Sequence, residues 1–335
     1  MDRHWAYVVS LAAGHGSRLA RHLLAAGALG YCLMFVSEQL FWARLRPDDT
    51  LGSWLFGWVV YSLAGYLAHA ALIWSRSRSF AAVFLVGALF GWLIEGVFVQ
   101  TAFEDLPLSI SWTGLAWHAL LSFGVGWWAI GGALHRSGRS ALIWALAMGL
   151  GYGLWAISWW LEPDGGVATP EAFAGYTTIA ALIWALAQFV YHRLAPALAR
   201  PNPALIAIAV GAGLLWFAFV GVPAAPISAP LLPILVGLTL LGLWGSRRRG
   251  DPLAIADATP AIPPGRFLML LALPAMASLV YLVAFVLQLR WQFNWLLYLA
   301  TTGAGFGLYV WAVLHSWGWR ARPVSTPAPL KEDRT

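Results

Sequence analysis

Two carboxylates stand inside long apolar runs of this 335-residue sequence, Glu38 and Glu95, and one imidazole, His118, stands inside a third. An ionisable group in hydrocarbon costs about 2.5–3.5 kcal/mol even on insertion scales, so such residues are read first as functional. Carboxylates and an imidazole in a low-dielectric layer shift one another's protonation and can take up and release a proton near neutral pH. That chemistry suits proton coupling in a transporter, acid/base work in an intramembrane enzyme, or binding of a cationic ligand.

The three groups share a depth. Glu38 follows Arg21 by seventeen residues and Glu95 follows Arg78 by seventeen, which at 1.5 Å per helical residue places each about 25 Å from its arginine. His118 enters from the opposite surface, about 9 Å below a span that starts near Trp112. Gln100 ends at that level, and the connection from Phe103 to Thr113 covers it with Glu104 and Asp105. The candidate polar site is therefore Glu38, Glu95 and His118, rimmed by Gln100, Glu104 and Asp105 and framed by the first four spans. The competing reading is structural: Glu38 pairs with Arg44 or Arg46, and Glu95 and His118 hydrogen-bond within the bundle as packing devices.

No cofactor or metal is expected. Cys32 is the single cysteine, the other histidines near the spans (His22, His69, His135, His192 and His315) fall toward the opposite ends, and no HExxH or CxxC occurs. The sequence also lacks a phosphate-binding glycine loop, a nucleophile elbow and a dinucleotide fingerprint, which argues against an ATP-driven pump or a soluble-type hydrolase.

The elements that must position these residues are written in the hydropathy. Apolar residues make up 60% of the chain and charged residues 10%, with 22 Trp, a balance that fits lipid and not water as solvent. Runs long enough to cross a hydrocarbon core span Leu23 to Trp42, Leu51 to Trp74, Phe80 to Thr101, Trp112 to Leu134, Ser140 to Leu161, Phe173 to Leu194, Ala204 to Val222, Ile227 to Trp244, Phe267 to Leu289 and Phe293 to Trp317. The fold class is all-α, a polytopic transmembrane helix bundle of about ten helices. The pair Ala204 to Val222 and Ile227 to Trp244 is the least secure, because no charge separates it.

With these spans, 17 of the 20 basic residues fall on the side of the N-terminus, and only Arg44, Arg46 and Arg290 fall opposite. The positive-inside rule then places both termini in the cytoplasm. Net charge of +6 is thus a topology signal, and no nucleic-acid partner is expected. The chain divides into a cytoplasmic N-terminal segment (1–22), a six-helix region with the polar site (23–195), a four-helix region (196–319) and a disordered cytoplasmic tail (320–335). Glycines four apart, at Gly87 and Gly91, Gly149 and Gly153, and Gly303 and Gly307, predict close helix contacts. Pro274 predicts a kink.

The leading expectation is a secondary transporter or permease-like protein of a prokaryotic-type cytoplasmic membrane, proton-coupled, with the bilayer and a small molecule or proton as partners. The alternatives are an intramembrane enzyme acting on a lipid or polyprenyl substrate and a non-catalytic assembly factor.

Overall fold

The computed structural model describes residues 2–162, 166–249, 261–292 and 294–318, with side chains from residue 18. The expected tail at 320–335 lies outside the described residues. Helices dominate, and nine of them among the described residues are long and apolar enough to cross a membrane. They are α1 (Arg18–Trp42, the crossing part of a helix that begins at Asp2), α2 (Leu51–Ser75), α3 (Phe80–Phe98), α5 (Gly138–Leu161), α6 (Pro170–Leu198), α7 (Pro203–Ala224), α8 (Ser228–Arg248), α9 (Gly265–Val286) and α10 (Asn294–Ser316). The remaining expected crossing, α4, is a continuous helix formed by Ile110–Ala129 and Ile130–Arg136. The chain is an all-α polytopic helix bundle.

The helices start where side chains replace missing backbone acceptors. Thr50 and Ser53 form a capping box at α2, Ser79 accepts from the Ala82 amide at α3, Ser137 from the Ser140 amide at α5, and Thr169 from the Ala172 amide at α6. The uncertain pair, α7 and α8, forms two full-length helices joined by a short turn. In α9 a 3-10 turn, Met269–Leu271, immediately precedes Ala272–Val286, which carries Pro274. A proline lacks the amide that would bond one turn back, so the break falls where it is expected.

Two buried clusters form the core, one between α1, α2, α3, α4, α6, α8 and α10, the other between α1, α4, α5, α6 and α9. Helices α1, α4 and α6 contribute to both. Helix α3 is the most enclosed, with 89% of its apolar window buried within the protein against 17% for α7. The residues that could carry chemistry thus lie on the most sheltered helices, and the periphery is left to face lipid.

The arginine-bearing helix ends are contiguous. Arg247 donates to the Trp74 carbonyl at the end of α2, and Arg266 donates to the Leu134 and His135 carbonyls at the end of α4. Together these ends form an arginine face, and Arg44 and Arg46 lie at the far face.

Of the expected glycine contacts, two pairs touch neighbours. A methyl group at Gly149 or Gly153 would meet the Leu273 or Ala277 carbonyl of α9, and one at Gly87 or Gly91 would meet the α4 backbone. The third pair is corrected by the structure: Gly303 and Gly307 face open space, and the packing glycine of α10 is Gly305, whose added methyl would lie 2.4 Å from the Ser111 hydroxyl.

Candidate functional site

Close approach of α3 and α4 builds the centre. Gly87 lies against Ala119 and Gly91 against Gly114, so the two helices run antiparallel. Side chains on a helix lean toward its own N-terminus, so Glu95 on α3 and His118 on α4 lean toward each other. Their side chains meet: His118 Nε2 contacts Glu95 Oε1, with Glu95 9% and His118 2% exposed. The second Glu95 oxygen accepts from the Thr101 hydroxyl.

Helix α1 supplies the other side of the imidazole. His118 Nδ1 lies 3.0 Å from Ser37 Oγ. Ser37 Oγ donates to Ser122 Oγ at 2.8 Å, and Ser122 donates to the Trp117 carbonyl at 3.0 Å. Since each hydroxyl has one proton to give, this chain has a direction: Nδ1–H of His118 donates to Ser37 and the series ends on a carbonyl. The proton that remains to be placed lies between Nε2 and the Glu95 carboxyl. One proton there leaves the pair neutral overall whichever group holds it, which lowers the cost of burying two ionisable groups.

Glu38 joins through Tyr61. The Tyr61 hydroxyl donates to Glu38 Oε1 at 2.7 Å, Trp42 Nε1 donates to Glu38 Oε2 at 3.2 Å, and the Tyr61 hydroxyl also neighbours the Ser37 side chain. The rings of Tyr61 and His118 lie 6.3 Å apart. Of the two arginines foreseen for Glu38, Arg46 pairs with Asp49 at 3.0 Å and covers the Trp42 ring. A cavity of about 260 Å³, lined by Glu38, Tyr61, Arg44, Arg46 and Asp49, opens this end of the network toward the far face.

Three of the four helices that carry the network are π-helical there: Phe35–Gln39 holds Ser37 and Glu38, Trp92–Phe98 holds Glu95, and Ile110–Ala129 holds His118 and Ser122. A π turn inserts a residue, leaves the carbonyl ladder irregular and re-aims the side chains around it. Its freed groups find partners, as where Gln188 of α6 donates to the Gly126 carbonyl at 3.2 Å. At the end of α1 the Gln39 carbonyl accepts from Tyr152 and Tyr176.

The structure brings together Glu95 and His118 directly and Glu38 through Tyr61. It does not bring the rim residues to them. Gln100 adopts a positive φ of 68° and turns its amide onto the Val97 carbonyl, Glu104 is exposed, and Asp105 borders a separate aromatic cavity with Glu162 and Asn294. Ser37, Tyr61, Thr101 and Ser122 complete the network without having been singled out from sequence. The signal available was their position: Ser37 adjoins Glu38, and Ser122 lies one turn after His118.

Toward the arginine face the network is sealed by rings. Phe90 packs edge-on to His118 at 5.5 Å and 6.2 Å from Phe123, which lies 4.6 Å from Trp127. Beyond Trp127 a second cavity, about 460 Å³, opens among α2, α4 and α6. No group of His, Cys, Asp and Glu among the described residues is placed to hold a metal ion. No family model matches this chain, and comparisons with curated proteins and with solved structures found no match.

Proposed function

We propose that the chain is a proton-coupled secondary transporter in which Glu38, Tyr61, Ser37, His118 and Glu95 form the proton path. The carrying observation is that a buried carboxylate–imidazole pair, bonded to Ser37, lies beside Tyr61, whose hydroxyl donates to a second carboxylate at the base of a cavity. Hydroxyl, imidazole and carboxyl groups in series can pass a proton by rotating their hydrogen bonds, and such series inside a membrane mark proton relays. The positive-inside rule puts the arginine face in the cytoplasm, so the Glu38 cavity opens outward and the second cavity inward. Cavities on both sides of an aromatic seal are what an alternating-access protein requires in its closed state.

The experiment is a proteoliposome assay with a trapped pH indicator, challenged with panels of sugars, amino acids and phosphorylated solutes. At least one solute should drive proton movement that disappears in Glu95→Gln and His118→Gln. Flux that is unchanged in both variants contradicts the reading.

A second reading has one observation in its favour: Ser37, His118 and Glu95 stand in the order of a nucleophile, base and orienting acid, as an intramembrane lipid hydrolase would use. The hydrogen-bond direction disfavours it, since Ser37 gives its proton to Ser122 and not to the imidazole, and Ser37 is buried. Covalent capture of Ser37 by a fluorophosphonate would support the enzyme over the transporter.

A further inference from the structure

The ends of α1, α4, α5 and α10 surround a cavity of about 520 Å³ at the far face, and its wall is aromatic. Trp295, Tyr298, Trp112, Trp155 and Trp159 follow one another ring to ring, with centroids 5.9, 5.0, 6.3 and 6.2 Å apart. Successive planes are inclined by 43–89°, so the rings enclose a space and do not stack in a column. Tryptophans at a membrane surface ordinarily turn their N–H groups to the headgroups. Two of these are held inward instead: Trp155 and Trp159, one turn apart on α5, both donate Nε1 to the Phe41 carbonyl, at 2.6 and 2.8 Å. That carbonyl is free to take both because α1 ends at Trp42.

The charged side chains in this wall are two carboxylates, Asp105 and Glu162, and no Lys, Arg or His of the described residues lines it. A recess lined by one sign of charge with apolar walls concentrates ions of the other sign, and the face of an indole or phenol ring attracts a cation through its quadrupole. Asn294, which also lines the cavity, adds a separate sign of a ligand. Its Nδ2 donates to Glu162 Oε1, and its Oδ1 is buried with no hydrogen-bond partner among the described residues. Buried polar atoms are nearly always satisfied, so this oxygen calls for an N–H donor.

We propose that this cavity is a site for an organic ammonium ion, a protonated amine with an apolar body. Asp105 and Glu162 hold the charge, Asn294 Oδ1 accepts from the ammonium N–H, and the rings take the cation and its carbon skeleton. The volume falls within the range of small-molecule sites, roughly 300–1,000 Å³. None of Glu38, Tyr61, Ser37, His118 and Glu95 lines it, so the site stands whether or not those residues carry protons.

The test titrates the full chain, purified in dodecyl maltoside, by isothermal calorimetry. If the ammonium group comes from a soluble amine, phenethylammonium should bind saturably, and phenethyl alcohol, its uncharged counterpart, at least tenfold more weakly. If it comes from a lipid headgroup, short-chain phosphatidylethanolamine should bind saturably instead, and short-chain phosphatidylglycerol should not. In either arm Asp105→Asn should weaken binding at least tenfold. Asp105 is exposed and bonds Ser109 through its backbone, so the variant keeps its fold. Glu104→Gln, the same loss of charge at the adjacent exposed residue outside the cavity, should leave binding unchanged. No saturable binding in either arm, or equal effects of the two variants, overturns the proposal.

Discussion

Gly91 lies against Gly114 so closely that a methyl group added to it would fall 2.3 Å from the Gly114 carbonyl oxygen. That contact fixes the spacing of α3 and α4, and Glu95 and His118 each come about one turn after one of these glycines. Helix–helix association in lipid depends on such backbone approach, because apolar side chains gain little from leaving lipid for protein.

Gly91→Ala should therefore separate the helices, destabilising the protein by about 1–3 kcal/mol through overpacking and parting the Glu95–His118 pair. Thermal unfolding in detergent checks this. Gly303→Ala is the control: it meets open space, and in a helix interior it should be neutral or stabilise by up to about 1 kcal/mol.

Removing one member of the buried pair should cost more than replacing it with a polar isostere. Glu95→Ala leaves His118 without its Nε2 partner, an expected loss of about 1–3 kcal/mol, whereas Glu95→Gln keeps a hydrogen bond and should retain most stability while abolishing proton movement. Equal unfolding temperatures for the two variants would argue that the pair contributes nothing to the fold.

Tyr61→Phe keeps the ring against Phe90 and deletes only the hydroxyl that reaches Glu38. The expected stability loss is about 0.5–1.5 kcal/mol, the net value of one hydrogen bond, with flux falling at least tenfold. Trp42→Phe, which removes the other donor to Glu38 but lies off the path, should leave flux within about twofold.

The arginine face should be cytoplasmic. In a Cys32→Ala background, single cysteines at Arg76 or Gly138 should resist an impermeant reagent applied to intact cells, and one at Asp48 should react. Reaction at the first two positions would invert the assignment of the cavities.

The spans were legible in the sequence because a hydrocarbon-crossing helix needs about twenty apolar residues, and no soluble element imitates that length. Observed ends such as Gly138–Leu161 and Pro203–Ala224 fall close to the runs from Ser140 to Leu161 and Ala204 to Val222. Glu95 and His118 were legible too, because depth counted from Arg78 and from Trp112 placed them in one layer. Ser37, Tyr61 and Ser122 were not: serine in membrane helices commonly bonds its own backbone, and tyrosine is common at membrane interfaces, so neither residue type marks a site. The π turns hid the rest: an inserted residue rotates the helix beyond it, so a regular 3.6-residue count cannot tell which face Ser37 or Ser122 presents. Gln100, Glu104 and Asp105 were drawn into the site on proximity in sequence. The chain instead reverses at Gln100 and continues as the 3-10 turn Thr101–Phe103, which carries the two acids away from Glu95.

The most direct test of the proton path tracks the carboxyl groups themselves. Infrared spectra of proteoliposomes, taken after a pH jump imposed on the outer side, should show protonated-carboxyl bands that Glu38→Gln and Glu95→Gln each remove. In Tyr61→Phe the Glu38 band should still respond and the Glu95 band should not. A Glu95 band that responds equally with and without the Tyr61 hydroxyl, or that never responds, would contradict a path from the outer cavity through Tyr61, Ser37 and His118.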